Sequence, residues 1–321
     1  MTGRRWLIAA LALLGAGAVT GWLYTRDMRT TEARLAAGSR VYETARGPVE
    51  AAVHGEGPAV LVLHGAGGGY DQGERLVQAF GPPGFRWIVV SRFGYLRSPL
   101  PADASPLAQA DALAALLDAL GEERAAILAM SGGVPPALQF ATFHPERTTA
   151  LVLLSSAPFT PFGLADQALP LPGWAYQALF ATNLPYWLLE HGARWALAPI
   201  FDAPSSLRDR MTEDEAAFLD RLIDGFLPVT ARLPGLGNEA AAIDPAADYA
   251  PESIRAPSLI VHARDDSINL FEIGAALGAT IPEAEFLPLA DGGHLLLGHH
   301  AALRDRIARF LEAHARPATE P

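Results

Sequence analysis

The residues best suited to do chemistry begin at Ala125-Ala-Ile-Leu-Ala-Met-Ser131-Gly-Gly133. An apolar strand pattern runs straight into a serine, and two glycines precede the next apolar helical pattern. Such a strand-to-helix turn lifts a serine hydroxyl clear of a sheet for nucleophilic attack. The usual form of this turn is Gly-x-Ser-x-Gly; here Ala129 stands for the first glycine and supplies the small residue needed where strand and helix backbones pass closely. A serine hydroxyl is a weak nucleophile at neutral pH and needs a base. Two later signals supply candidates in order: Arg264-Asp265-Asp266-Ser267 after one apolar run, and Asp291-Gly-Gly-His294 after another. Asp266 and His294 are the candidate acid and base, with Asp265 the alternative acid. The competing readings make Ser131 a helix N-cap and His294 an ordinary loop residue.

Those residues need elements to hold them at one place. Val49–His54, Ala59–Leu63, Trp87–Val90, Ala126–Met130, Ala150–Leu154, Pro257–His262 and Glu285–Leu289 read as strands, several of them buried on both faces. Ser105-Pro106 reads as an N-cap with a first-turn proline, opening a helix to Leu120. Val134–Thr142 is a second helix, and Leu303, Ile307, Phe310 and Leu311 make the apolar stripe of a last one. Strand and helix alternating at this pitch specify an α/β fold, a mostly parallel sheet wound on both faces. The rhythm stops between residues 158 and 251, which read as a helical insertion with Thr212-Glu-Asp-Glu215 as a capping box. An insertion there covers the C-terminal edge of the sheet, where open α/β sheets bind ligands.

The chain resembles the α/β-hydrolase superfamily, in its lidded esterase, lipase and peroxidase-like branch, over residues 49 to 314. Apolar strand plus His-Gly-x-Gly matches 59–67, and small-x-Ser-x-Gly after a strand matches 125–133. Strand plus His-Gly-x-x-Asp matches 258–266 with Ala263 for the glycine, and Gly-Gly-His before a final helix matches 292–311. Four such pieces in this order are specific, although each alone is common. Ser91-Arg-Phe-Gly-Tyr-Leu-Arg-Ser98 departs from the family's Asp-x-x-Gly-x-Gly-x-Ser loop.

The resemblance implies an α/β-hydrolase fold with a catalytic triad of Ser131, Asp266 and His294. It makes His294 the general base and Asp266 the group that fixes its tautomer. It places the oxyanion hole at the backbone N–H groups of Ala66 and Gly132, and gives His64 a bracing part. Relatives with aspartate at the elbow open epoxides or remove halogens, and serine argues for acyl chemistry instead. An aromatic-rich cap favours hydrophobic carboxylic esters. Tyr95, Met130, Trp174 and Trp187 are the candidate substrate contacts, and the cap aromatics suit equally a core of the cap itself. The competing functions are C–C hydrolysis, perhydrolysis or haloperoxidation, acyl transfer, and a membrane-tethered binding protein without turnover. No cofactor is expected.

Composition narrows the field. The chain has 321 residues and no cysteine, which removes disulfides, thiolate nucleophiles and Cys-ligated metal sites. All 24 basic residues are arginine, which removes Schiff-base lysines and Walker-A phosphate loops. No H-E-x-x-H is present, and His299 and His300 point to different sides of a helix, so no metal site is expected. A net charge of −11 argues against nucleic acid. The oligomeric state is not encoded in any motif.

The N-terminus stands apart. Arg4-Arg5 precedes Trp6–Tyr24, a stretch without charge. As a helix it would extend about 28 Å, close to a bilayer core. Residues 1–24 read as a single-pass membrane anchor, or as a signal peptide cut near Ala16-Gly17-Ala18, with residues 6–24 in the lipid. Arg26, Arg29 and Arg34 on the far flank favour a cytoplasmic domain by count, but the short basic leader favours an extracytoplasmic one, the reading adopted. Residues 25–47 read as a polar tether, 48–157 and 252–316 as the core, and 158–251 as the cap.

Overall fold

The apolar runs form one eight-stranded sheet. The computed structural model describes residues 2–159, 161–168, 170–242 and 249–315. Its strands are β1 Arg40–Thr44, β2 Gly47–His54, β3 Ala59–Leu63, β4 Arg86–Val90, β5 Ala125–Met130, β6 Thr148–Leu154, β7 Ser258–Ala263 and β8 Glu285–Leu289. They lie in the order β1-β2-β4-β3-β5-β6-β7-β8. β1 and β2 pair antiparallel, as do β2 and β4, and every other neighbour is parallel.

The helices are α1 Thr2–Ala37, α2 Tyr70–Phe80, α3 Pro106–Leu120, α4 Val134–Phe143, α5 Gly173–Phe180, α6 Asn183–Gly192, α7 Ser205–Arg208, α8 Glu213–Asp224, α9 Leu233–Ala242, α10 Phe271–Thr280 and α11 His300–His314. Alternation along the strands sends successive side chains to opposite faces. Val60, Val62, Leu128 and Val261 join Leu76 and Phe80 of α2 and Ile307 and Leu311 of α11 in one core. Leu61, Leu63, Ile127 and Ile260 join Leu113 of α3, Leu138 of α4 and Leu277 of α10 in the other. Each such buried aliphatic side chain contributes roughly 1.5–3 kcal/mol. Local signals agree with this packing: Ser105 caps α3, accepting from the Ala108 N–H at 3.2 Å. The Thr212–Glu215 capping box opens α8.

Between β6 and β7 lie α5 to α9, the helical insertion that faces the C-terminal ends of the strands. Its aromatic residues largely pack on one another: Phe180, Tyr186, Phe201 and Phe226 form a cluster with ring centroids 5.2–6.4 Å apart.

The stretch expected as a tether is structured. α1 continues without interruption to Ala37, and Arg40–Thr44 is the edge strand β1. Met28 and Leu35 are buried, and the Leu35 carbonyl accepts from the Tyr70 hydroxyl at 2.8 Å. Two apolar residues seven apart are too sparse to stand out in a polar segment, so tertiary contact decides the helix there. The first part of α1 is different: Trp6, Leu7, Ile8, Leu11, Leu13, Leu14, Val19 and Trp22 are all exposed. Arg4–Ala37 is long and apolar enough to cross a membrane or to serve as a signal sequence.

Candidate active site

The elbow forms where the sequence places it. β5 ends at Met130, and Ser131–Gly133 makes a 3₁₀ turn into α4. Ser131 takes a φ of +52°, a left-handed conformation that costs a non-glycine residue of order 1–3 kcal/mol. Ala129 is fully buried in β5 and fits without a glycine. A Cβ on Gly133 would collide with the Leu63 carbonyl oxygen of the neighbouring strand, which explains the glycine two residues after the serine.

The loop after β7 carries Asp266, the expected acid, and the loop after β8 carries His294, the expected base. The Asp266 side chain is fully buried, and its Oδ1 accepts from the Ile268 and Asn269 N–H groups, each at 2.9 Å. His294 Nδ1 lies 2.9 Å from Asp266 Oδ2 and 3.2 Å from Oδ1. Nδ1 is therefore the donor nitrogen, which leaves Nε2 as the basic one. Asp265 instead accepts from the Gly293 N–H at 2.9 Å and braces the histidine loop. Of the two carboxylates, Asp266 is therefore the one paired with the His294 ring. His262 Nε2 sits 3.2 Å from Asp266 Oδ2, on the far side of the acid from solvent.

Electrostatics follow from that packing. Burial alone would raise the Asp266 carboxyl, but the His294 charge and hydrogen bonds from His262 and His294 outweigh it and hold it well below the usual carboxylate range. Burial alone would lower His294. The charge of Asp266, its hydrogen bond and the Asp202 charge outweigh burial and raise the imidazole above its ordinary 6.5.

The loop after β3 supplies backbone donors. The Gly65 N–H donates to Gln72 Oε1 at 2.8 Å, Gly67 to the Tyr95 hydroxyl at 3.2 Å and Gly68 to the Gly65 carbonyl at 3.3 Å. Among the described residues, none accepts from the Ala66 N–H, and Ala66 is exposed on the cavity. Gly132, in the first turn after the strand, has an N–H with no intrahelical partner. These are the two amides expected to hold an oxyanion. His64 is fully buried and braces the loop: Nε2 accepts from the Arg92 N–H at 3.0 Å, so Nδ1 donates to the Gly65 carbonyl at 2.7 Å. Burial first, then the Arg92 charge, keeps this imidazole well below its usual range and neutral.

Of these groups, Ser131, His294, Gly65 and Ala66 open on one cavity of about 730 Å³. These four form its floor, and Tyr176, Phe180, Ile200, Phe201, Leu222, Phe226, Leu233 and Leu236 of the cap line its walls. Of the expected substrate contacts, Met130 lines this cavity. Trp174 is 73% exposed on the outer surface, one residue beyond the lining Gly173. Trp187 packs against Tyr24 of α1, with ring centroids 5.6 Å apart, and its indole N–H donates to Asp27 at 3.3 Å. Tyr95 lies behind the oxyanion loop and faces a smaller pocket beside it. Helix register, invisible in an aromatic-rich stretch, turns both tryptophans away.

Three polar residues of the cap reach the site without a motif to announce them. Asp202 accepts from the His294 N–H at 2.8 Å and from the Ser267 N–H at 3.0 Å. A Cβ on Gly293, whose φ is +59°, would press on the Asp202 carboxylate at 2.9 Å. Arg232, fully buried, donates to the Gly68 carbonyl at 2.6 Å and to both Asp71 oxygens at 3.1 and 2.9 Å. Glu239 binds Arg92 and Tyr95 and lines the cavity. No cluster of metal-ligating side chains occurs among the described residues. His299 pairs with Asp291 and His300 with the Leu295 carbonyl, facing apart as their adjacency implies.

Residues 58–301 match the alpha/beta hydrolase fold family, and the chain belongs to it. A 2-hydroxy-6-oxononadienedioate/2-hydroxy-6-oxononatrienedioate hydrolase of Paraburkholderia phymatum is 29% identical over 282 residues, 83% of this chain and 92% of that protein. A 2-hydroxy-6-oxo-6-phenylhexa-2,4-dienoate hydrolase of Burkholderia cepacia is 27% identical over 267 residues, 79% of this chain and 87% of its own. Among solved structures, an alpha/beta hydrolase fold protein from Nakamurella multipartita superposes with a TM-score of 0.76 at 29% identity, covering 86% of this chain and 99% of that one.

Proposed function

We propose that the protein hydrolyses uncharged, hydrophobic carboxylic esters through an acyl-serine intermediate, tethered to a membrane by α1. Ser131 Oγ attacks the ester carbonyl as His294 Nε2 takes its proton. The oxyanion is held by the Ala66 and Gly132 N–H groups, worth about 3 kcal/mol each in the transition state. His294 returns the proton to the departing alkoxide, and water, deprotonated by His294, then cleaves the acyl-serine. Asp266 holds the imidazole in the tautomer that makes Nε2 basic.

One observation carries the ester reading. Ser131 and the Asp266-held His294 open on an apolar cavity whose described lining contains no arginine. An anionic substrate would lose its hydration there without gaining a cation.

The curated relatives favour a second reading. Their names denote carboxylate-bearing oxo acids, whose hydrolysis must cleave a C–C bond because they contain no ester. The same serine, acid and base could serve that reaction. The lining chemistry supports the ester, and sequence similarity supports the C–C bond.

Full-length protein in detergent micelles separates the readings. A fluorophosphonate should label wild type stoichiometrically and Ser131→Ala not at all, and p-nitrophenyl esters of medium chain should turn over. Turnover of an oxo-dienoate with inert esters would select C–C hydrolysis, and absence of both labelling and turnover would leave a binding protein. The membrane reading rests on the exposed apolar stretch from Trp6 to Trp22 in α1, and the placing of the folded domain outside the cytoplasm on the short basic leader Arg4-Arg5. Carbonate extraction of membranes, with protease protection in spheroplasts, tests anchoring and side.

A further inference from the structure

We propose that Glu239 is a specificity-determining residue, the acceptor for a free hydroxyl close to the scissile carbonyl, which directs the enzyme to neutral hydroxyl-bearing esters and away from carboxylates. This rests on the ester reading and names its substrate class.

The loop Ser91–Ser98 supplies the two donors that hold Glu239. Arg92 is buried and rigidly held, with its backbone N–H on His64 Nε2 at 3.0 Å and its Nε on the His64 carbonyl at 2.9 Å. Its Nη2 donates to Glu239 Oε1. The buried Tyr95 hydroxyl donates to the same oxygen at 2.5 Å. Two donors therefore occupy Oε1. Oε2 has no hydrogen-bond partner among the described residues, and it lies 2.5 Å from where a Cβ on Gly132 would stand. The free oxygen thus sits at the elbow, beside the amide proposed to hold the oxyanion, on the wall of the cavity. The glycine at 132 leaves room for it.

A carboxylate oxygen only accepts hydrogen bonds. Arg92 already balances the charge of Glu239, so a neutral donor completes the site better than a second cation. A substrate carboxylate would meet lone pairs at short range in a cavity lined mostly by apolar side chains, where repulsion is less screened than in water. Glu239 takes no part in the proton transfers, yet it is the only acidic side chain among the described residues lining the cavity.

The test uses the full-length protein and matched ester pairs: glycol monoesters against their methyl ethers, hydroxyacyl against methoxyacyl esters, and hemisuccinates against methyl succinates. Wild type should prefer the hydroxyl member of at least one of the first two pairs by about tenfold or more in kcat/KM. In Glu239→Gln the amide oxygen can keep Arg92 and Tyr95, and an N–H replaces the free acceptor. That variant should bring the preferred hydroxyl ratio to near one and raise the hemisuccinate relative to the methyl succinate by about tenfold. A residue that only braces Arg92 would lower all rates together and leave the ratios unmoved, which would overturn the proposal. A wild-type ratio near one in both hydroxyl pairs overturns it too, without any variant and even if Glu239→Gln does not fold. If neutral esters turn over but the ratios are flat, only this inference fails; if no ester turns over, the ester reading fails with it.

Discussion

Asp202 reaches from the cap to accept a hydrogen bond from the His294 backbone N–H at 2.8 Å. The same carboxylate accepts from the Ser267 N–H beside Asp266. One cap residue therefore ties together the loop that carries the acid and the loop that carries the base. It follows the 3₁₀ turn Ala198–Phe201 with a φ of +52°, so the chain spends backbone strain to aim it. Asp202→Ala would leave two N–H groups short of a partner, at a cost of about 1–3 kcal/mol each. We expect kcat to fall more than KM rises, because the base is displaced while the apolar walls stay. Asp202→Asn keeps an acceptor but removes a charge that raises His294, so its acid limb should move to lower pH. Steady-state kinetics across pH on both variants decide this; unchanged profiles would assign Asp202 to packing alone.

The pH dependence of wild type has a definite sign. His294 must be neutral to accept the serine proton, so activity is lost as pH falls through its pKa. The site raises that pKa above 6.5, chiefly through Asp266 working against burial. The acid limb of kcat/KM should therefore have its midpoint above the ordinary imidazole value. Asp266 titrates far below this range and adds no second limb near neutrality. A midpoint below 6.5 in the free enzyme would show that burial, and not the carboxylate, dominates at His294.

The two adjacent carboxylates should part sharply. Asp266→Asn offers an amide that can hold the imidazole in the wrong tautomer, a change that costs about 10⁴ in kcat in comparable triads. Asp265→Asn loses only the charge on a single hydrogen bond to the Gly293 N–H, so turnover should fall by less than about tenfold. Fluorophosphonate labelling rates provide the readout, with far-UV circular dichroism to confirm the fold. Equal losses in both variants would mean that the loop, and not the pair with His294, matters.

What the chain reveals before folding follows the reach of its interactions. Ser131, Asp266 and His294 each follow a strand and carry a local signature, and a strand end fixes a position at the sheet edge whatever the rest does. The Ala66 and Gly132 amides follow from the same turns. The cap residues have no such signature. Asp202, Glu239 and Arg232 meet partners 92, 147 and 161 residues away in sequence, and no periodicity encodes which helix face will turn inward. Trp174 and Trp187 show the reverse case, since aromatic composition suited a pocket or a cap core equally, and the register of α5 and α6 leaves Trp174 on the surface and buries Trp187 against α1. The tether failed for a related reason: Met28 and Leu35 gain their burial from α2 and the core, which the local sequence does not contain.

Arg232 provides the strongest test of how the cap is held over the oxyanion loop. Its guanidinium is fully buried and satisfied on every side, by both oxygens of Asp71 and by the carbonyls of Gly68, Phe226 and Leu227. Arg232→Met fills much of the same volume but strands the buried Asp71 charge. Breaking a buried pair in this way typically costs about 3–5 kcal/mol. The double variant Asp71→Leu with Arg232→Met removes both charges and should recover a substantial part of that loss, because the burial penalty disappears with the attraction. Its turnover should stay low, since the Gly68 carbonyl loses the donor that pins the loop beside Ala66. Denaturant unfolding of the two single variants and the double, with turnover assays on each, separates these effects. A single variant that costs under about 1 kcal/mol would mean that water replaces the arginine, and that the cap is held by its apolar contacts.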